Sequence, residues 1–79
     1  MNRNEIMDRV TEIFRDVFDD DTIELTEETT AADIEDWDSL SHLTLISAVE
    51  DAFHYKFSMK DVLGMENVGA MLTILENRK

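Results

Sequence analysis

Residues 35 to 46 decide the fold, and they read Glu35-Asp36-Trp37-Asp38-Ser39-Leu40-Ser41-His42-Leu43-Thr44-Leu45-Ile46. They join an acidic loop to an apolar helix. At 100° per residue from Ser39, the side chains that gather on one side are Leu45, Ile46, Val49 and Phe53. We therefore predict a helix from Ser39 to Phe53 with one buried face. Ser39 then lies in its first turn, where backbone N–H groups are unpaired and the helix dipole is positive.

Apolar periodicity predicts two further helices and one short helical turn. The first helix covers residues 4 to 18, capped by Asn2 and Glu5, and its buried stripe is Ile6, Val10, Ile13, Phe14, Val17 and Phe18. Ser58 begins a short turn that runs through Leu63 and stops at Gly64. The last helix covers residues 67 to 76, with apolar positions at Val68, Met71, Leu72 and Leu75. We predict an all-α, small four-helix bundle with three main helices and a short third helix.

A long loop of residues 19 to 38 connects helices 1 and 2. Loops of this length are uncommon in compact domains and are often functional. Scattered apolar residues indicate that the loop is fixed to the core; they are Ile23, Leu25, Ala31, Ala32, Ile34 and Trp37.

Composition limits the function classes. A chain of 79 residues predicts a single domain over 1–79, and the absence of cysteine excludes thiol chemistry from its own side chains. The net charge of −12 opposes binding to nucleic acid or to an anionic membrane, and favours protein partners with basic surfaces. No secretory signal or membrane-spanning run is visible, so we expect a cytoplasmic protein, and we expect a monomer.

Catalysis and metal binding are the less favoured hypotheses for this chain. Ser39 and His42 are spaced to touch across one helical turn, but no G-x-S-x-G elbow is present, and His42 points toward the apolar stripe. Asp19-Asp20-Asp21 resembles the start of a calcium loop, but Glu24 stands where that loop needs glycine. With two histidines and no cysteine, zinc is not expected either. We expect neither an enzyme nor a metal site.

Covalent modification of Ser39 fits the pattern better. A phosphate ester in the first helical turn is stabilised by roughly 0.3–1 kcal/mol. The alternative interpretation is that Asp38 and Ser39 only cap the helix. The position of the serine, after a long acidic loop and at the start of the most apolar helix, favours modification.

The chain resembles the acyl carrier protein family. Asp38-Ser39-Leu40 is similar to the family's modification motif, and the apolar and acidic positions that follow match its second helix: Leu43, Leu45, Ile46, Val49, Glu50 and Phe53. The resemblance covers nearly the whole chain, and the initiating Met1 favours a discrete protein over a domain cut from a larger synthase.

This resemblance implies a function and a set of residues. Ser39 would carry 4'-phosphopantetheine, transferred from coenzyme A by a magnesium-dependent phosphopantetheinyl transferase, and the arm would hold an acyl or aminoacyl group as a thioester. Asp38 would help to present the serine. Enzymes that load and transfer the cargo would contact Leu40, Leu43, Ile46, Ser47, Glu50 and Asp51. The alternative interpretation is that Ile46 is mostly a core residue and that Asp51 is only solvated. The core or an acyl pocket between helices 2 and 3 would use Leu45, Val49, Phe53, Phe57, Val62 and Leu63.

Several positions depart from the pattern of fatty-acid carriers. Such carriers usually have acidic residues where Ser41 and Thr44 stand, and a larger apolar residue at Ser47. Trp37 and the segment His54-Tyr55-Lys56 also differ. We therefore expect a specialised carrier in a polyketide, nonribosomal peptide or glycan-acylation pathway. The alternatives that remain are an unmodified acidic interaction module and a small hydrolase that uses Ser39 and His42.

Overall fold

Four α-helices form the molecule in the computed structural model, which describes residues 2–78: α1 Arg3–Phe18, α2 Ser39–Phe53, α3 Met59–Leu63 and α4 Val68–Glu76. Within residues 2–78 there is no strand, so the predicted all-α bundle is confirmed. In the same range no helix combines the length and apolar character needed to cross a membrane. Met1, on which the expectation of a discrete protein rests, lies with Lys79 outside the described residues.

Side-chain caps fix where the helices begin. The Asn2 side chain accepts a hydrogen bond from the Glu5 backbone N–H at 2.9 Å, and the Ser58 hydroxyl accepts one from the backbone N–H of Asp61 at 3.1 Å. Both predicted capping pairs are therefore confirmed. Because Asn2 is the cap, α1 begins one residue earlier than predicted, and because Asn67 caps α4, that helix begins one residue later.

The core lies where α1 packs against α2 and α4. Ile6, Val10 and Phe14 of α1 are fully buried, as the helical periodicity predicts. Burying one such side chain contributes about 1.5–3 kcal/mol. The other helices supply the remaining fully buried side chains, which are Leu45, Val49, Val68, Met71, Leu72 and Leu75.

The long loop is attached to this core by side chains and by backbone. Ile23 and Trp37 are buried, which confirms that the loop is fixed. A single 3-10 turn, Ala31–Asp33, lies within it. The first turn of α4 donates two backbone hydrogen bonds to the loop, to the carbonyl of Thr29 at 2.9 Å and to that of Glu27 at 2.8 Å. These bonds satisfy N–H groups that have no partner inside the helix.

Arg3 joins the start of α1 to the loop and to α4. Its guanidinium contacts the Glu27 carboxylate at 2.7 Å, the Glu76 carboxylate at 3.0 Å and the carbonyl of Gly69 at 3.1 Å. The hydrogen bond to Glu27 is the main cause that raises the pKa of Arg3. One side chain thus connects three segments that are distant in sequence.

Candidate functional site

Ser39 is the first residue of α2, and Asp38 holds it there. The Asp38 backbone is extended, and its carboxylate accepts hydrogen bonds from the N–H of Leu40 at 3.0 Å and of Ser41 at 2.9 Å. These bonds, first that from the Ser41 backbone, lower the pKa of Asp38. Asp38 is therefore a charged N-cap, and the Ser39 side chain is exposed.

Ser41 completes the cap and is occupied by structure. Its hydroxyl accepts a hydrogen bond from the Asp38 backbone N–H at 2.8 Å and donates one to the carbonyl of Asp36 at 2.8 Å. The hydroxyl therefore ties the end of the loop to the first turn of the helix. In the sequence, Ser41 stands out only because fatty-acid carriers usually have an acidic residue at its position. The spacing Asp-x-x-Ser is the signal that identifies its role.

Trp37 and His42 form a hydrogen-bonded pair beneath this turn. Trp37 is 6% exposed and packs edge-on against Phe14, with ring centroids 5.1 Å apart. Its indole Nε1–H donates to His42 Nδ1 at 3.0 Å, and the two rings stack. Burial lowers the pKa of His42, while the nearby backbone of Val62 opposes that shift. Sequence reasoning did not predict this pair.

A groove of about 500 Å³ opens beside Ser39. It lies between the loop, the start of α2 and α3, and we call it the Ser39 groove. Its lining residues are Ala31, Trp37, Asp38, Ser39, His42, Val62, Leu63, Met65 and Glu66. Its volume falls within the range of about 300–1,000 Å³ that is usual for small-molecule sites. An extended group bonded to Ser39 therefore has a partly apolar surface beside it.

The residues predicted for partner binding differ in how exposed they are. Leu40 is 79% exposed and Leu43 is 61% exposed, and Ser47 and Asp51 are also exposed. Ile46 is 5% exposed and belongs to the core, as the alternative interpretation expects, so little of its side chain is left for a partner to contact.

Glu50, also predicted as an acidic contact, is half-buried. One of its carboxylate oxygens accepts a hydrogen bond from the backbone N–H of Phe57 at 2.7 Å. The carboxylate therefore fixes the segment between α2 and α3, and it is less free to meet a partner than the carboxylate of Asp51.

The residues predicted for the core or an acyl pocket also differ in how buried they are. Four of them are buried, namely Leu45, Val49, Phe53 and Phe57. Val62 is half-buried and lines the Ser39 groove. Leu63 is 77% exposed, so it is not a core residue, because α3 presents it to solvent at the rim of the groove. Met59, which no sequence pattern had singled out, is 72% exposed.

Comparison with known proteins identifies the family. Residues 8–75 match the family described as a phosphopantetheine attachment site. The chain belongs to this family. It is similar to the solution NMR structure of a holo acyl carrier protein from Geobacter metallireducens, at 46% identity and a TM-score of 0.84, over 89% of this chain and 80% of that chain. No curated protein matches the chain.

The protein is therefore a carrier protein with covalently attached 4'-phosphopantetheine as its cofactor. The residues present fit that group. An exposed serine hydroxyl stands at a helix N-terminus, and a partly apolar groove begins at the same residue. Carriers of this family are non-catalytic and work with phosphopantetheinyl transferases and with biosynthetic enzymes.

Proposed function

We propose that Ser39 Oγ is the attachment point of phosphopantetheine and that residues 1–79 act as one carrier domain without catalysing a reaction. The observation that carries this proposal is the exposure of Ser39 at the start of α2, where it opens onto the Ser39 groove. The neighbouring Ser41 hydroxyl already donates to the Asp36 carbonyl. Of the two serines in this turn, Ser39 is the one available for modification.

The first turn of α2 supports the chemistry of attachment. Once esterified, Ser39 Oγ belongs to a phosphodiester, whose negative charge lies beside the unpaired backbone N–H groups at the helix start. At a surface site this stabilises the product by roughly 0.3–1 kcal/mol. Asp38 keeps the turn formed by accepting from Leu40 and Ser41. When bound, the cofactor supplies a terminal thiol that holds cargo as a thioester.

Partner enzymes meet a surface that is apolar near Ser39 and acidic beyond it. Leu40, Leu43 and Leu63 are exposed around the groove, and Asp51 is exposed farther along α2. The net charge of −12 attracts basic surfaces over a long range, so the transferase and the loading and transferring enzymes are proposed to dock with basic side chains around an apolar contact.

We also propose that the pathway is a specialised one. Thr44 and Ser47 are exposed on α2 where a fatty-acid carrier would present an acidic and a larger apolar side chain. These two side chains are uncharged and small. The surface therefore suits an enzyme of a polyketide, nonribosomal peptide or glycan-acylation pathway better than an enzyme of fatty-acid synthesis.

Intact mass spectrometry tests the attachment. The apo protein is incubated with coenzyme A, magnesium and a promiscuous phosphopantetheinyl transferase. We expect the wild type and Ser47→Ala, an exposed serine on the same helix, to gain one phosphopantetheine mass, and Ser39→Ala to gain none. Retention of the gain in Ser39→Ala would place the cofactor elsewhere. A folded wild type that gains nothing would instead support the unmodified interaction module.

A further inference from the structure

The Trp37–His42 pair fixes the protonation state of the histidine. The indole Nε1–H can only donate, so His42 Nδ1 must accept and carries no proton. In the neutral ring the proton is then on Nε2. Val62 of α3 lines the same groove as His42, and its backbone opposes the fall in the pKa of His42 that burial causes. The hydrogen bond from Trp37 therefore fixes the tautomer of His42 beside α3.

Trp37, His42 and Val62 each belong to a different wall of the Ser39 groove. Trp37 ends the long loop, His42 lies in the first turns of α2, and Val62 belongs to α3. α3 has five residues and none is buried. A helix of that length is not stable by itself in water, so its position depends on contacts with its neighbours. His42 is bonded to the loop through Trp37 and lines the groove together with Val62 of α3.

We propose that His42 is a positioning residue that keeps the Ser39 groove formed when it is neutral and loosens the groove when it is protonated. A proton on Nδ1 would face the indole N–H, so two donors would meet and the hydrogen bond to Trp37 would be lost. The proposal rests on attachment of the cofactor at Ser39, because the groove positions the arm only if the arm begins there.

The surroundings of His42 determine in which direction its pKa shifts. Charged groups that line the groove with it are Asp38 at the start of α2 and Glu66 between α3 and α4, whereas α1 faces the pair with the apolar ring of Phe14. Burial outweighs the opposing effect of the Val62 backbone and lowers the pKa of His42 below its ordinary value of 6.5. The unfolded chain therefore binds the proton first. The stabilising contribution is complete above pH 6.5 and is lost as the pH falls through the lower folded pKa.

Fluorescence of the apo protein tests the pair, since Trp37 is the only tryptophan. Emission is followed between about pH 5 and 8, the range in which histidine changes charge. We expect a sigmoidal change with a midpoint below 6.5 in the wild type and in His54→Asn, which removes the other histidine. His42→Asn, which keeps an acceptor without titrating, and His42→Leu should show no transition. A transition that persists in both His42 variants would overturn the proposal.

NMR of the holo protein tests the positioning. The readout is the change in the Trp37 indole and in the Val62 and Met65 amide shifts between apo and holo forms, at two pH values that lie below and above the midpoint found by fluorescence. A phosphodiester does not titrate there, and a free thiol has a pKa of about 8.5. We expect the wild-type changes to fall severalfold at the lower pH, and those of His42→Asn and His42→Leu to be equal at both.

Either a wild type without pH dependence or variants that keep it would overturn the proposed role of His42. Circular dichroism establishes that each variant is folded, and His42→Asn serves if His42→Leu is not. Failure of the attachment itself is distinguishable, because the mass measurement then shows no gain on Ser39. Without an arm the positioning role falls too, while the apo fluorescence still reports separately on the histidine pair.

Discussion

The residues at the two ends of α2 differ in what they contribute to the protein. The hydroxyls of Ser39 and Ser41 are two positions apart, yet one is exposed and the other closes a capping box with Asp38. At the other end, His54 terminates the helix in the left-handed conformation, with φ of 52° and ψ of 44°. Its backbone N–H still donates to the carbonyl of Glu50. The two serines form the candidate site, whereas the left-handed conformation of His54 lowers the stability of the protein.

Replacing His54 by glycine should stabilise the protein. A left-handed conformation costs an L-residue roughly 1–2 kcal/mol, and glycine avoids that cost while losing about 0.5–1 kcal/mol through extra freedom in the unfolded chain. We expect the free energy of unfolding of His54→Gly to rise by about 0.5–1 kcal/mol in urea denaturation. Ser47→Gly, at an exposed right-handed helical position, should lower it. Equal losses in both variants would show that the His54 side chain makes stabilising contacts.

At the level of elements, α4 is joined to the long loop by close backbone contact. Gly69 donates its N–H to the carbonyl of Glu27 at 2.8 Å. A Cβ atom built on Gly69 would lie 2.9 Å from that same oxygen and 3.1 Å from the Glu27 Cβ. The absence of a side chain at this position is what allows the loop to lie against the helix.

Gly69→Ala should therefore destabilise the bundle. The Glu27 carbonyl cannot withdraw without losing its hydrogen bond, so the added methyl group must be accommodated by backbone displacement, at a cost of typically 1–3 kcal/mol. Urea denaturation measures the loss. Gly64→Ala is the control, because the nearest atom to its Cβ is the Lys60 carbonyl oxygen at 3.3 Å and its φ of −87° suits any residue. If both variants unfold alike, the loop contact is not tight in solution.

Local sequence patterns predict the elements well and their mutual contacts poorly. The bounds of α2, Ser39 to Phe53, follow from its apolar stripe and agree with the structure. The position of Ser39 at a helix start follows from the same pattern. The hydrogen bond between Trp37 and His42 does not, because it depends on where the loop returns to the core. Leu63 shows the same limit, since an apolar residue in a five-residue helix has no periodicity to reveal which way it faces.

At the level of the whole molecule, charge opposes folding. The chain has nineteen acidic and seven basic residues, so its net charge is −12. Such self-repulsion destabilises a compact state while it keeps the protein available to basic partners. Two ion pairs are found within residues 2–78, and both involve Arg3. Repulsion is therefore the larger electrostatic effect in the folded chain.

Added salt should stabilise the protein. Raising sodium chloride from about 0.01 M to 0.1 M shortens the Debye length from about 30 Å to 10 Å, which screens repulsion across the whole molecule. We expect the midpoint of thermal unfolding to rise by several degrees, since about 1 kcal/mol corresponds to 4–8 °C at this size. The rise should be larger in Arg3→Gln, which lacks the attractive contacts that salt weakens. A fall in the wild type would mean that the contacts of Arg3 outweigh the repulsion.

The contacts of Arg3 also bring the start of α1 beside the end of α4. Because its guanidinium bonds to Glu76 at 3.0 Å, residues 73 positions apart in sequence lie side by side. A tag or fusion partner attached before α1 or after α4 would therefore start from the same region of the surface. A short linker could join the start of α1 to the end of α4, and a circular permutant could then open elsewhere. The protein thus has a natural place to be tethered to a support or to another protein while Ser39 stays within the uninterrupted chain.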